Sequence, residues 1–569
     1  MKKQLLSFFI LIFSTFSLNA AKILPKKAVI VISEKAPSTT VYAAKALQQH
    51  LNTAFHKTLE IITDRKSKKS FEILLGNTNR LDYPENNLTD GSYRIKSYSN
   101  GIYINGGGTR GVIYGVYRFL EEFCGFHYYS TKTGYNITEK SYFPTDDVDI
   151  VYDSFFEYTE TDWLSPRDPL FSVINGLNGG DCRKIPQEMG GDIRFLSEFC
   201  HTLTNQFCSK EKYYKSHPEY FALYNQKRIP NQLCLTNNDV FKIVLQEVFD
   251  ILKEKYNPDE SIQIISLTQA DNSCFCQCKK CQAIDEENKS HAGSMIHFIN
   301  KIADAVKEAG YDNVYIDTFA YTYTRTPPAK IIPNDNVIIR LCTIECCFSH
   351  PLTDPKCEQN IKFIKDFEDW HRICKKLYIW DYTNNYIQTA GLFPNLNVIQ
   401  RNIQCFYEHS AAGVYEEGNY YIDQCDTEFG ELKAYLISRC LQNPYCNYDK
   451  ELQDFLRNFY GPKWKFIYEF LTLINKNASK DHLSIYQGMK KTLSLTDNQI
   501  KQCESCWKKA KSGTLDSLQL DNILRSELSW RYWKYCNNVL EFSDSNTYEE
   551  NKLKLFDDFK KFNVTRMKE

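Results

Sequence analysis

The rhythm of apolar positions along this chain changes twice. From 26 to about 150, the short runs "KAVIVIS", "LEIITD" and "FEILLG" and the alternating "GSYRIKSYSNGIYING" predict strands, with Ser-Asn-Gly as a hairpin turn. Two stretches with helical spacing lie among them: "STTVYAAKALQQHLNTAF", opened by Ser38 or Thr39 as N-cap, and "RGVIYGVYRFLEEFCG". This is the pattern of a small α/β sandwich. Gly106-Gly107-Gly108 has neither a following Gly-Lys-Ser/Thr nor a dinucleotide fingerprint, so it is taken as a tight turn and not as a phosphate cradle.

From about 151 the rhythm becomes strand, helix, strand. Seven strand-like runs, "FFEYTETDW", "IRFLSEFCHTL", "IQIISLTQADN", "VYIDTFAYTYT", "VIIRLCTIECC", "LYIWDYTNN" and "GVYEEGNYY", alternate with amphipathic segments such as "MIHFINKIADAVKEAG" and "NLNVIQRNIQCFYEHS". Repeated this often, the alternation predicts a parallel sheet, and at this length a (β/α)8 TIM barrel. The eighth strand is expected near 430–440. After about 447 only helical spacing remains. The expected organisation is a signal peptide at 1–20, an N-terminal α/β domain at 21–150, a barrel at 151–446 and a C-terminal helical region at 447–569.

Composition narrows the function. Lys+Arg number 69 and Asp+Glu 70, a net charge of −1, so there is no basic field for nucleic acid. The start, "MKKQLLSFFILIFSTFSLNAAK", has the layout of a signal peptide, and no later run reaches the length of a membrane span. The mature protein is therefore expected to be secreted or periplasmic. With 38 Tyr, 36 Phe and 7 Trp, aromatic faces are available to pack against sugar rings. The 21 cysteines are an odd number, and an oxidising compartment would pair some of them. In "CFCQCKKC" (Cys274, Cys276, Cys278, Cys281) a disulfide-stapled loop is preferred to zinc, because no second ligand pair follows at finger or ribbon spacing. No catalytic metal and no organic cofactor is expected.

The chemistry is expected at the C-terminal ends of the barrel strands. Asp271 and Asn272 close one run, Tyr321 and Tyr323 another; Glu345, Asp381 and Glu416-Glu417 close three more, and His201 follows the second. Acids gathered on one rim fit either a metal site or glycoside hydrolysis, which needs a protonated acid and a second stabilising group. Glu345 ends a run of apolar residues among Cys342, Cys346 and Cys347, an environment that raises a carboxyl pKa, and is taken as the general acid/base. Glu416 is its expected partner and Asp271 the reserve. His201, Asn272, Asp381, Tyr321 and Tyr420 are taken to hold sugar hydroxyls. Trp163 is taken as a stacking platform, and Trp380, inside a strand, as a platform or core.

"HPEYFALYNQKRIPNQLCLTNNDV", "TQADNSCFCQCKKCQAIDEEN", "GSMIHFINKIADAV", "DTFAYTYTRTPP", "RLCTIECCFSHPL", "YIWDYTNNY" and "GVYEEGNY" resemble the DUF4838 domain family, some of whose members are placed in glycoside hydrolase family 163. The N-terminal segment is similar to that of α-glucuronidases and β-hexosaminidases. The resemblance implies a (β/α)8 hydrolase, and an activity of retaining endo-β-N-acetylglucosaminidase type on complex N-glycans. Where the family pattern is Glu-Gln-Gly, this chain has Glu416-Glu417-Gly418, which leaves open which glutamate faces the substrate. Two other readings stand beside it. An α-glucuronidase would need a cationic clamp, with Arg340 and Arg325 as candidates; a glycan-binding protein without catalysis would keep its acids apart.

Overall fold

The computed structural model describes residues 24–25, 27–81, 87–140, 143–419 and 428–564. The expected signal peptide and Tyr420 lie outside the described residues. No described helix is long and apolar enough to cross a membrane.

The first unit comprises β1 (Ala28–Ile32), α1 (Ser38–Phe55), β2 (Glu60–Thr63), β3 (Phe71–Leu75), β4 (Tyr93–Tyr98), β5 (Gly101–Gly106), α2 (Gly111–Cys124), a small hairpin β6 (His127–Ser130) and β7 (Gly134–Asn136), and β8 (Asp149–Tyr152). Its six-stranded sheet runs β2-β1-β3-β5-β4-β8. The expected hairpin is present: Tyr98 pairs with Gly101 across Ser99-Asn100. Gly106, Gly107 and Gly111 turn tightly into α2, and a Cβ at any of them would overlap backbone. The turn reading holds there.

The second sheet uses β9 (Tyr158–Thr161), β10 (Arg194–Phe195), β13 (Gln263–Ser266), β14 (Val314–Ala320), β15 (Val337–Cys342), β16 (Lys376–Tyr382) and β17 (Gly413–Glu417). These are the seven predicted strands. They form one curled, half-barrel parallel sheet in the order β10-β13-β14-β15-β16-β17-β9. Between its two edges passes the segment 178–179. Asn178 and Gly179 donate to the Thr159 carbonyl, and Ile193 donates to the Asn178 carbonyl. An isolated parallel bridge joins Gly179 to Ile193. The eighth strand expected near 430–440 is instead a helix, α10 (Gly430–Gln442). The strand-like contribution comes from two residues too few and too Gly-rich to carry a periodic signal.

Around and between the strands lie α3 (Pro169–Ile174), α4 (Lys210–Tyr213), the hairpin β11 (Phe221–Tyr224) and β12 (Lys227–Leu233), α5 (Asn238–Lys255), α6 (Lys279–Asn288), α7 (Ala292–Glu308), α8 (Glu358–His371) and α9 (Leu396–Glu408). Caps fix where several begin: Asp168 accepts from Leu170 and Phe171 at α3, and Asn237 from Asp239 and Val240 at α5. Helices α11 (Tyr448–Tyr460), α12 (Trp464–Ala478), α13 (Asp497–Ala510), α14 (Ser517–Asn537) and α15 (Tyr548–Lys561) follow. Most of their apolar faces join the same core as the barrel strands.

Candidate functional site

Side chains alternate along a strand, so every second residue of the curled sheet points inward. Tyr158, Glu160 and Asp162 do so from β9 and its end; Tyr378, Trp380 and Tyr382 from β16; Tyr415 and Glu417 from β17. Arg340 lies deepest. It is fully buried, paired with Asp317 at 3.2 Å, and ringed by Tyr158, Phe195, Phe199, Tyr378 and Trp380 at 4.8–6.0 Å. Its charge is neutralised and capped by rings, so it is no clamp for a uronic acid.

Above this layer a cavity of about 690 Å³ opens at the C-terminal ends of the strands. Aromatic residues Phe199, Phe319, Tyr321, Trp380, Tyr382, Tyr386, Tyr415 and Tyr486 make much of its wall. The polar groups set among them are Asp162, Asp181, Glu198, Asp271, Glu417, Arg167 and His201. An apolar, ring-rich wall with few convergent polar groups is the usual make-up of a small-molecule site.

Glu417 is 9% exposed and accepts from the Trp380 indole at 2.6 Å. Burial pushes its carboxyl well above the ordinary range, and the neighbouring Asp162 carboxylate pushes it further. Asp162 is itself raised by burial, against which the backbone N–H groups of Gly418 (2.6 Å) and Asn419 (3.2 Å) donate to it. Gly418 makes that approach possible, since any Cβ there would overlap the Trp163 indole. Asp181 is pushed up to about 8 by burial and then by Glu160 and Asp162. Three acids whose charges oppose one another thus share one side of the cavity. Elsewhere on the wall, Tyr321 donates its hydroxyl to Asp271 at 2.7 Å. His201 sits at φ 55° and its Nδ1 donates to the Gln269 carbonyl at 2.7 Å, which leaves Nε2 as the ring's free position.

Of the residues singled out from sequence, Asp271, Tyr321 and His201 line this cavity, and Trp380 lines it as well. Asn272 lies next door, in a smaller cavity that shares Asp271 and His201. Four others are elsewhere. Glu345 does not lie in the cavity: β15 ends at Cys342, a turn closes with Cys346 N–H on the Thr343 carbonyl, and the side chain swings out, 49% exposed, to pair with Arg325. Arg325 also binds Asp366 and is equally remote from a clamp role. Glu416 and Asp381 are partners in register across β16 and β17 and face the helices; the Asp381 carboxyl, pushed up to about 6 by burial, accepts from Thr343 and Asn402. Trp163 is fully buried and donates to Thr383 at 3.0 Å, a core residue and not a platform. Asp162, Asp181, Tyr382, Tyr386, Tyr486 and Arg167 were missed, and between Glu416 and Glu417, which the sequence left open, it is Glu417 that lines the cavity. For Glu417 and Tyr382 the signal existed, in the alternation of the strand; Asp181 and Tyr486 come from loops, and Arg167 from the short 3-10 helix Ser165–Arg167.

The cysteine reading also changes. Each of the 20 described cysteines is a free thiol. Cys276, Cys278 and Cys281 are joined by Cys234, which directly follows β12, with all four sulfurs within 4.8 Å of one another. The missing ligand comes from 42 positions before Cys276, beyond the reach of a spacing rule.

A family profile described as "Domain of unknown function (DUF4838)" matches residues 128–468. No curated protein matches the sequence. Among solved structures, a "novel family GH115 4-O-Methyl-alpha-glucuronidase, BtGH115A, with specificity for decorated arabinogalactans" is similar at a TM-score of 0.60 and 10% identity, over 96% of this chain and 78% of that one. A family 89 protein from Clostridium perfringens, in complex with GlcNAc-alpha-1,4-galactose, is similar at 0.50 and 11% identity, over 94% of this chain and 68% of that one. At such identities the likeness is one of fold.

Proposed function

The chain belongs to the DUF4838 family, and on that premise we propose that it is a glycoside hydrolase acting through the cavity at the C-terminal ends of a (β/α)8-type sheet. The observation that carries this is Glu417: a carboxyl whose protonated form is favoured by burial and by Asp162, in a ring-lined cavity that also holds Asp271. A proton donor to a departing glycosidic oxygen needs such a carboxyl near neutral pH. Glu417 is the general acid. Asp271, oriented by the Tyr321 hydroxyl, stabilises the oxocarbenium-like centre, directly or by polarising an acetamido group of the substrate. Trp380, Tyr382 and Tyr386 pack on sugar faces, and His201 Nε2 accepts from a hydroxyl. The substrate is a β-linked N-acetylglucosamine within a complex N-glycan, cleaved internally with retention; the support is the resemblance to family 163 and the ring-lined, acid-bearing cavity.

A second reading has one observation in its favour. Arg167 lines the cavity, its Nη2 donating to the Asn419 carbonyl at 2.7 Å and its Nε to the Asp162 carbonyl at 3.3 Å. A guanidinium so held could also meet a uronate, and the fold neighbour named above is described as a glucuronidase. One experiment separates the readings: incubate wild type and Glu417→Gln with a glycoprotein, a released-glycan panel and glucuronoyl oligosaccharides, and weigh the products. A single N-acetylglucosamine left on the protein by wild type and not by the variant supports the first reading. Release of glucuronic acid supports the second, and no cleavage of any substrate removes both.

A further inference from the structure

We propose that Cys347, His350, Cys357 and His482 hold a structural zinc ion that fastens the loop after α12 to the rim of the barrel sheet. The ligand atoms of these four residues lie within 4.8 Å of one another. Cys347 Sγ is 3.2 Å from His350 Nδ1, and Cys357 Sγ is 3.7 Å from His482 Nδ1. With Zn–S near 2.3 Å and Zn–N near 2.0–2.1 Å, a tetrahedral site has S···N edges of about 3.5 Å, midway between those separations. Two isolated thiol–imidazole hydrogen bonds would not need to converge on one point; these do.

The surroundings are those of ligands. His350 Nε2 meets the Ser479 carbonyl at 3.1 Å. A carbonyl only accepts, so the ring proton sits on Nε2 and the Nδ1 lone pair points at the sulfurs, the arrangement that orients metal-bound histidines. The Leu483 amide donates to Cys347 Sγ at 3.5 Å, a contact suited to a thiolate. The Asn360 side chain clamps the loop, accepting from the Cys347 amide and donating to the Cys347 and His350 carbonyls. Cys347 and His350 follow β15, Cys357 precedes α8, and His482 lies 125 residues further on. Such a link also bears on the cavity. Ile344 and Tyr486 line it from the two loops the ion would join, and the Tyr386 amide, at the same wall, donates to the Ile485 carbonyl.

A different set of atoms carries a second zinc site independently, at Cys234, Cys276, Cys278 and Cys281. Cys234 Sγ and Cys278 Sγ are 3.7 Å apart. That is far beyond a disulfide bond and close to the S···S edge of about 3.8 Å for tetrahedral zinc. The Leu223 amide donates to Cys276 Sγ at 3.4 Å, so this ion would pin the β11–β12 hairpin to the start of α6.

The test is metal analysis of the full purified chain, with thiol titration and the visible spectrum after cobalt(II) replacement. Two zinc ions per chain are expected, and cobalt bands of tetrahedral thiolate sites. His482→Ala and Cys357→Ser should each lower the content to one and speed proteolysis around 479–490; Cys276→Ser should remove the other ion and leave that loop protected. A folded wild-type chain without zinc, or a Cys347–Cys357 disulfide found by mass, would overturn the first site. A Cys276→Ser chain that still binds two ions would overturn the second. Because the metal content of wild type is read directly, variants that fail to fold do not shelter either site.

Discussion

The inner wall and the outer shell of the curled sheet carry the same chemistry to opposite ends. β17 places Glu416 and Glu417 side by side, both buried, and β16 does likewise with Asp381 and Tyr382. Glu417 and Tyr382 turn inward to a cavity roomy enough for a sugar. Glu416 and Asp381 turn outward, where burial and then the Asp381 charge lift the Glu416 carboxyl and its Oε1 has no hydrogen-bond partner among the described residues. Both glutamates are pushed up by the same force. A raised pKa therefore does not locate a catalytic acid; access to a cavity does, and the two-residue period of the strand decides it.

The sharpest way to break this comparison is Glu417→Gln. On the inner wall, loss of a general acid should lower kcat by about 10²–10⁴ with folding retained. Asp271→Asn should also lower kcat, and kcat measured beside thermal unfolding checks both. A Glu417→Gln enzyme within threefold of wild type would end the inner-wall assignment. Trp380→Phe sharpens it further. The indole N–H favours the charged form of Glu417, so its removal should raise that pKa and move the alkaline limb of the kcat/KM profile upward.

How much of this could be seen in the residues follows from range. The strand-helix rhythm gave seven strands, because each signal lies within one segment. The rim position of Asp271, His201 and Tyr321 followed from the same local reading. Glu345 was misplaced because a turn after Cys342 ends the strand three residues before it, and turn geometry is poorly marked in "CTIECC". Asp381 and Glu416 were misplaced because strand ends were located without settling parity. Zinc was set aside at Cys274–Cys281 because Cys234 lies far before it, and the Cys347 set escaped because His482 lies far after it.

On the outer shell, Glu416→Gln should leave kcat within about threefold, since the side chain reaches no cavity. Its effect is on stability. Burial raises the folded-state pKa above the ordinary value of about 4.3, so between the two the native state holds a proton that the unfolded chain has released. Stability must then fall as pH rises through that window, and Asp381, pushed up to about 6, adds to the slope from about pH 4 to 6. The glutamine has no proton to lose. Denaturant titrations from pH 4.5 to 8 should show a shallower fall for the variant, with its gain over wild type greatest at the alkaline end. A steeper fall would mean that Glu416 is charged and paired in the native protein.

The smallest effect belongs to Glu345. Its carboxylate is half exposed, and its partner Arg325 retains Asp366 at 2.8 Å when Glu345 is removed. Exposed ion pairs are worth about 0–1 kcal/mol, and here the guanidinium is not left unpaired. Glu345→Gln should thus change stability by less than about 1 kcal/mol and kcat by less than twofold, measured by the same titration and assay. The value of so small an effect lies in its position. Glu345 lies one residue beyond Ile344, which lines the cavity, and two before Cys347. If the variant lost most of its activity, the rim after β15 would have to fold inward during turnover, and the wall that now separates inner from outer acids would be a moving one.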